Sequence, residues 1–163
     1  MDVVVREVVV RRAVAEDAAG IAAVHIQAWR EAYAHLVPAE ALARLSLTQR
    51  ELRWAELIPA DTPHIWVALD GDRIIGWASN SHGHGTPRDR ELEGLYLLAS
   101  HYGSGAGQEL VDAAIGTEPA FLWVAEDNPR ARAFYARNGF VPDGAVDTHS
   151  LAGTPVQAIR MVR

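Results

Sequence analysis

The chain has 163 residues, 49% of them hydrophobic, and 21 acidic against 15 basic side chains give a formal net charge of −6; this suits one folded domain over residues 1–163 and excludes a disordered chain. With no cysteine, disulfide scaffolds, CxxC redox sites, thiolate nucleophiles and zinc knuckles are excluded, and with no lysine every basic residue is an arginine. The acidic balance argues against a nucleic-acid partner, and no apolar run is long enough for a membrane helix.

The N-terminal residues Met1 to Glu7 carry acids and lack a positively charged leader, so no secretion signal is read and the cytoplasm is the expected location. Val3 to Val10 is rich in β-branched residues and predicts a strand. Glu16 and Asp17 open a helical stretch to about Ala34, with Ile21, Val24, Ala28 and Ala32 as one apolar stripe. Thr48 to Glu51 has capping-box spacing, Pro59 is expected to stop the helix that follows, and Leu45, Leu47 and Leu52 are its expected anchors. His64 to Leu69 and Ile74 to Ala78 flank an Asp-Gly turn and predict a hairpin. Ser81 to Arg90 is a polar interruption, either a loop or a frayed strand end. Glu91 to Leu98 predicts a strand, Ser104 to Ile115 a helix closed by Gly116, and Ala120 to Ala125 a short buried strand. Asn128-Pro129 is a helix start, Asn138-Gly139 its stop, and Phe140 is placed to pack back on that helix. Val156 to Val162 is the last strand. The order of elements fits an α/β (α+β) fold, with a mixed, mostly antiparallel central sheet flanked by helices on both faces.

The segment from Leu97 to Gln108 follows a strand and opens a helix, with glycines at 103, 105 and 107. Alternating glycines let a backbone turn tightly and bring N–H groups to phosphate oxygens at a helix N-terminus. The alternative is a turn that only needs positive φ angles. No Gly-Lys-Ser/Thr follows, and the element order does not fit a dinucleotide fold.

Two stretches carry a family likeness. Leu95 to Gly107 is similar to an acetyl-CoA loop of the form Gln/Arg-x-x-Gly-x-Gly/Ala, and Leu122 to Phe140 is similar to the strand and helix that close that cofactor site. The sequence resembles the GCN5-related N-acetyltransferase (GNAT) superfamily over nearly its whole length. The likeness implies direct transfer of an acetyl group from acetyl-CoA to a primary amine of a small molecule or a protein N-terminus. Paired relatives are common, so a homodimer is one expectation. The loop departs from the family pattern: Tyr102 stands at the Gln/Arg position, Ser104 where a basic residue is frequent, and Ala99 where proline is frequent. A non-catalytic acyl-CoA-binding module is therefore the competing expectation.

The resemblance implies that the cofactor's phosphates meet the backbone of Tyr102, Gly103, Ser104, Gly105, Ala106 and Gly107, and that the backbone of Leu97, Leu98 and Ala99 pairs with the pantetheine arm. With no lysine in the chain, Arg130 and Arg137 are the nearest candidate cations for a phosphate, the alternative being exposed charges on a helix surface; Asn128 is expected to be a cap that also touches the pantetheine or the thioester region. Tyr135 is the implied proton donor to the leaving sulfur, the alternative being a packed aromatic with its hydroxyl hydrogen-bonded, while Phe134 is expected in the core. Glu91 and Glu93 lie two apart on one strand, and the repulsion between them suits one as general base; the alternative is a solvated strand end. His25, Trp29 and Tyr33 recur every four residues and share one helix face, either as an acceptor wall that holds an ammonium or as ordinary core. Glu31 and Glu40 are expected to add negative charge on that side. His82 and His84 make only half a metal site, so no metal is expected.

Overall fold

The computed structural model describes residues 7–60, 62–82 and 87–163. Seven strands form one sheet, β1 (Val8–Arg12), β2 (His64–Asp70), β3 (Arg73–His82), β4 (Arg90–Leu97), β5 (Phe121–Ala125), β6 (Val141–Leu151) and β7 (Thr154–Val162), in the order β1-β2-β3-β4-β5-β7-β6. All neighbours are antiparallel except β4 and β5, which are parallel. The helices are α1 (Ala18–Tyr33), α2 (Ala39–Ala43), α3 (Leu47–Ala60), α4 (Ala106–Ala114) and α5 (Pro129–Arg137). This is the mixed, mostly antiparallel sheet flanked by helices that the sequence predicts. The expected first strand begins in part among residues 3–6, outside the described residues, and runs on to Arg12.

Local chemistry sets most boundaries. The Asp-Gly turn joins β2 to β3, with Gly71 in the left-handed region at φ +62. Asn128 caps α5 by accepting the Ala131 N–H at 3.3 Å, and Gly139 ends it at φ +87. The α3 boundaries differ from expectation. Ser46, not Thr48, is the cap: its hydroxyl accepts the Gln49 N–H at 3.2 Å, so the helix starts at Leu47. Pro59 sits inside the last turn and the helix ends one residue later. Leu47 and Leu52 are not anchors, being 51% and 62% exposed. The buried face is Trp54, Leu57 and Ile58, an i, i+3, i+4 stripe against the core.

Ile21, Val67, Ile75, Leu110, Val111, Leu122 and Phe140 are the largest fully buried side chains and hold the helices to the sheet. A second cluster, of Trp29, Tyr33, Val37, Ala41, Leu42, Ala125 and Val156, joins α1 and α2 to the β5–β7 side. Two irregularities shape the centre. The β3–β4 register passes from Ser79↔Gly94 to Asn80↔Leu92, which leaves Glu93 as an extra residue in a β-bulge. Beyond the single pair Glu91↔Phe121, β4 and β5 splay apart.

The sheet leaves no room at Gly94, where a Cβ would lie 2.6 Å from Cη2 of the buried Trp77 ring. Gly94→Ala is expected to destabilise the protein by about 1–3 kcal/mol, read as a lower urea midpoint; an unchanged midpoint would mean that the Trp77 cluster repacks freely.

Candidate active site

The splay opens a cavity of about 1020 Å³ between β4 and β5. Its walls come from α1, β4, the loop after β4, the start of α4, the β5–α5 turn, α5 and the β6–β7 ribbon. Along β4 after Glu91, the backbone groups that face β5 have no strand partner, so they are available to a ligand lying in the gap.

The turn from Leu97 into α4 divides the expected backbone donors. Gly103 and Gly105 have φ of +78 and +90, the left-handed conformation that glycine tolerates. Gly103, Gly105, Gly107 and Gln108 line the cavity, and their N–H groups have no acceptor among the described residues. Ser104 and Ala106 do not line it: Ser104 donates its N–H to the His101 carbonyl, and the Ala106 N–H goes to the Ser104 hydroxyl at 3.3 Å. Leu98 and Ala99 are likewise engaged elsewhere. The Leu98 N–H is taken by the Ile75 carbonyl at 2.9 Å and the Ala99 N–H by Oε1 of Glu31 at 3.2 Å. The Tyr102 N–H is taken by the Ala99 carbonyl at 3.1 Å, so the expected donor set narrows to Leu97, Gly103, Gly105 and Gly107, with Gln108 added. His101 anchors the turn, with Nε2 at 3.0 Å from the Asp70 carboxylate and Nδ1 at 2.8 Å from the Ser100 hydroxyl.

Tyr135 is buried on α5 and lines the cavity. Burial first, and then the neighbouring Tyr96 phenol, push its hydroxyl well above the ordinary range, and no hydrogen bond opposes them. Tyr96 and Tyr33 join hydroxyls at 2.9 Å across the gap between β4 and α1. Their burial raises both phenols, so all three are neutral proton donors near pH 7. Asn128 and Arg130 line the cavity beside them, as does Arg137. Phe134 is not core alone: it lines the cavity, and its ring lies 3.6 Å from where a Gly107 Cβ would stand.

Glu91 and Glu93 both line the cavity at the closed end of the splay. Glu91 is half-buried, and desolvation first, then the charge of Glu93, raise its carboxyl above the ordinary range. Glu93, carried on the bulge, is exposed and accepts the Ser81 hydroxyl at 2.7 Å. The two carboxylates are therefore unequal, and Glu91 has the environment of a base.

The three-residue helix face is not a single wall. Tyr33 reaches the cavity, while His25 and Trp29 lie in the aromatic core and not on the cavity surface. His25 is 7% exposed and packed by Trp29 at 4.8 Å, Trp77 at 5.5 Å, Trp54 at 5.9 Å and Tyr96 at 6.0 Å. Helical spacing places these rings on one face; all three are buried, and only the tertiary packing decides which of them borders the cavity. Glu31 lines the cavity at the loop end, and Glu40 does not line it. His82 ends β3, and His84 lies outside the described residues.

Several cavity residues have no motif that marks them. Tyr96 reads as one more strand aromatic. The Trp123 and His149 rings meet in a tilted contact at 5.3 Å, although they sit on different strands. His35 reaches the Asp127 carbonyl at 2.6 Å, which joins the chain after α1 to the β5–α5 turn.

The sequence profile described as the acetyltransferase (GNAT) family matches residues 21–140. The chain belongs to the GNAT acetyltransferase family. YuaI of Bacillus subtilis (strain 168), an uncharacterized N-acetyltransferase, is 30% identical over 93% of this chain and 90% of its own length. Two solved GNAT-like structures illustrate the shared fold. PaiA N-acetyltransferase of Thermoplasma acidophilum, in complex with coenzyme A, superposes with a TM-score of 0.72 at 18% identity, over 94% of this chain and 98% of that one. YncA of Salmonella typhimurium, with its cofactor acetyl-CoA, superposes with a TM-score of 0.66 at 20% identity, over 96% and 92%.

The buried imidazole in this GNAT chain has a measurable consequence. Desolvation, and secondarily the charge of Arg50, lower His25 from 6.5 to about 3. Between those values the unfolded chain takes up a proton that the folded state refuses, so stability falls as the pH falls through that window. The group contributes a slope of about 1.4 kcal/mol per pH unit. His25→Phe should flatten urea stability against pH by about that slope between about pH 4 and 6; an unaltered slope would show that the folded imidazole titrates normally.

Proposed function

We propose that this protein is an N-acetyltransferase that moves an acetyl group from acetyl-CoA directly to a primary amine of a small molecule or a protein N-terminus. The observation that carries this reading is the convergence, in one splayed cavity, of a neutral phenol at Tyr135 and a carboxyl with a raised pKa at Glu91. The residues present fit the cofactor. A phosphate-bearing chain needs N–H donors at its anionic end, and Gly103, Gly105, Gly107 and Gln108 offer theirs at the start of α4. An extended amide-bearing arm needs an unpaired strand edge, and β4 offers one after Glu91.

Acetyl-CoA, when bound, supplies the acetyl group as an activated thioester. Glu91 takes the proton that an ammonium must lose before its nitrogen can attack, directly or through a water. Its raised carboxyl is a better match to that proton than an ordinary carboxylate would be. Tyr135 gives its proton to the departing sulfur, and burial keeps the phenol protonated until then. With no cysteine in the chain, a cysteine acyl-enzyme is not available, which agrees with direct transfer. Tyr33, Trp123, His149 and Glu93 border the rest of the cavity and supply aromatic faces and negative charge for a cationic acceptor.

Release of CoA thiol across a panel of amines tests the activity; CoA binding without thiol release for any amine would favour the non-catalytic module. Tyr135→Phe should lower kcat by about 10²-fold or more and leave CoA affinity nearly unchanged, as measured by titration calorimetry. A parallel loss of affinity would instead assign the ring to packing. Glu91→Gln should remove the acid limb of the kcat/KM profile, where activity falls as this carboxyl becomes protonated; a limb that persists in the variant would exclude Glu91 as the base.

A further inference from the structure

The loop from Tyr102 to Gly107 contains no basic side chain. Its free N–H groups provide partial positive charge only, at a place where a phosphate-bearing ligand would bring several negative charges. The structure brings a full charge to this loop from the other side of the splay. Arg130, in the first turn of α5, lays its guanidinium over the Tyr102 ring with Cζ 3.7 Å from the centroid. Both side chains line the cavity.

The stack decides how Arg130 can be used. A guanidinium on an aromatic ring spends its face on the ring and keeps its in-plane N–H donors free. Among the described residues those donors make no hydrogen bond or ion pair. They are therefore open to the bidentate contact that planar guanidinium makes with phosphate oxygens. Holding the side chain in place beforehand also reduces the entropy lost on binding. Other charged groups line the cavity as well, among them Asp127 of the β5–α5 turn, whose Oδ2 lies 3.8 Å from His35 Nε2. Glu31 is occupied by the Ala99 N–H at 3.2 Å, and Arg137 sits 5.9 Å from the Phe134 ring.

We propose that Tyr102 is a platform that holds Arg130 over the glycine loop, so that an arginine carried in from α5 supplies the phosphate-binding charge the loop itself lacks. The ring is the working part of Tyr102, and its hydroxyl is dispensable. This rests on the acetyl-CoA reading above and adds to it the residue pair that recognises a phosphate of the cofactor.

The test is calorimetric titration of CoA and dephospho-CoA into the parent protein, Arg130→Leu, Tyr102→Leu, Tyr102→Phe and the double Leu variant. Arg130→Leu and Tyr102→Leu should each weaken CoA binding on the order of tenfold. The double variant should be no weaker than either single one, because both changes remove the same contact. Tyr102→Phe should bind as the parent does, and added salt should weaken the parent more steeply than Arg130→Leu. If the losses persist with dephospho-CoA, the partner is the pyrophosphate; if they vanish, it is the 3′-phosphate, and either result supports the pair. Independent, additive losses, or unchanged affinity in Arg130→Leu, would overturn it. A parent protein that binds no CoA would instead remove the acetyl-CoA reading itself.

Discussion

The parting of β4 from β5 is the constraint on which the rest of this molecule depends. Every other pair of neighbouring strands is antiparallel, and only this parallel pair stops after one register position, Glu91↔Phe121. A strand edge inside a sheet normally satisfies its backbone groups with its neighbour. Here those groups are left to whatever enters the gap, and the elements that follow the two strands close around it. The glycine turn leads from β4 into α4 on one side, and the Asn128 cap leads from β5 into α5 on the other.

Burial around that gap does the chemical sorting. Tyr33, Tyr96 and Tyr135 are all raised by desolvation, so the middle of the cavity is lined by neutral donors. The closed end holds the one carboxyl pair, and the bulge at Glu93 separates their environments: Glu91 loses solvent while Glu93 keeps it and bonds to Ser81. The open end presents backbone N–H groups and Arg130. A ligand with an anionic end, a neutral extended middle and a reactive group near an amine meets three matching environments in order along one cavity.

Much of the local structure was legible in the residues. Asn128-Pro129, Gly139 and the Asp-Gly turn act through backbone conformation and hydrogen bonds to near neighbours, so their effect survives without tertiary context. The α3 start differs from the expectation because Ser46-x-x-Gln49 and Thr48-x-x-Glu51 have the same spacing, and it is the Ser46 hydroxyl that accepts a helix N–H, from Gln49. The backbone donors from Leu97 to Gly107 look equivalent in sequence. The His101 carbonyl, the Ile75 carbonyl and Glu31 distinguish them, and Ile75 and Glu31 are distant in sequence.

Sequence by itself determined the family, the order of the elements, the glycine turn and the Tyr135-bearing helix, because each depends on residue types at short, fixed spacing. It also determined that any arginine charge brought to the glycine loop must come from outside it. Only the tertiary structure decided that this arginine can be Arg130, that Tyr96 joins Tyr33, and that His25 lies under the aromatic core while Tyr33 reaches the cavity. The physical reason is that these outcomes are set by which face of an element another element covers, and by which donors a distant carbonyl or carboxylate has already taken. Spacing within one segment carries no information about either.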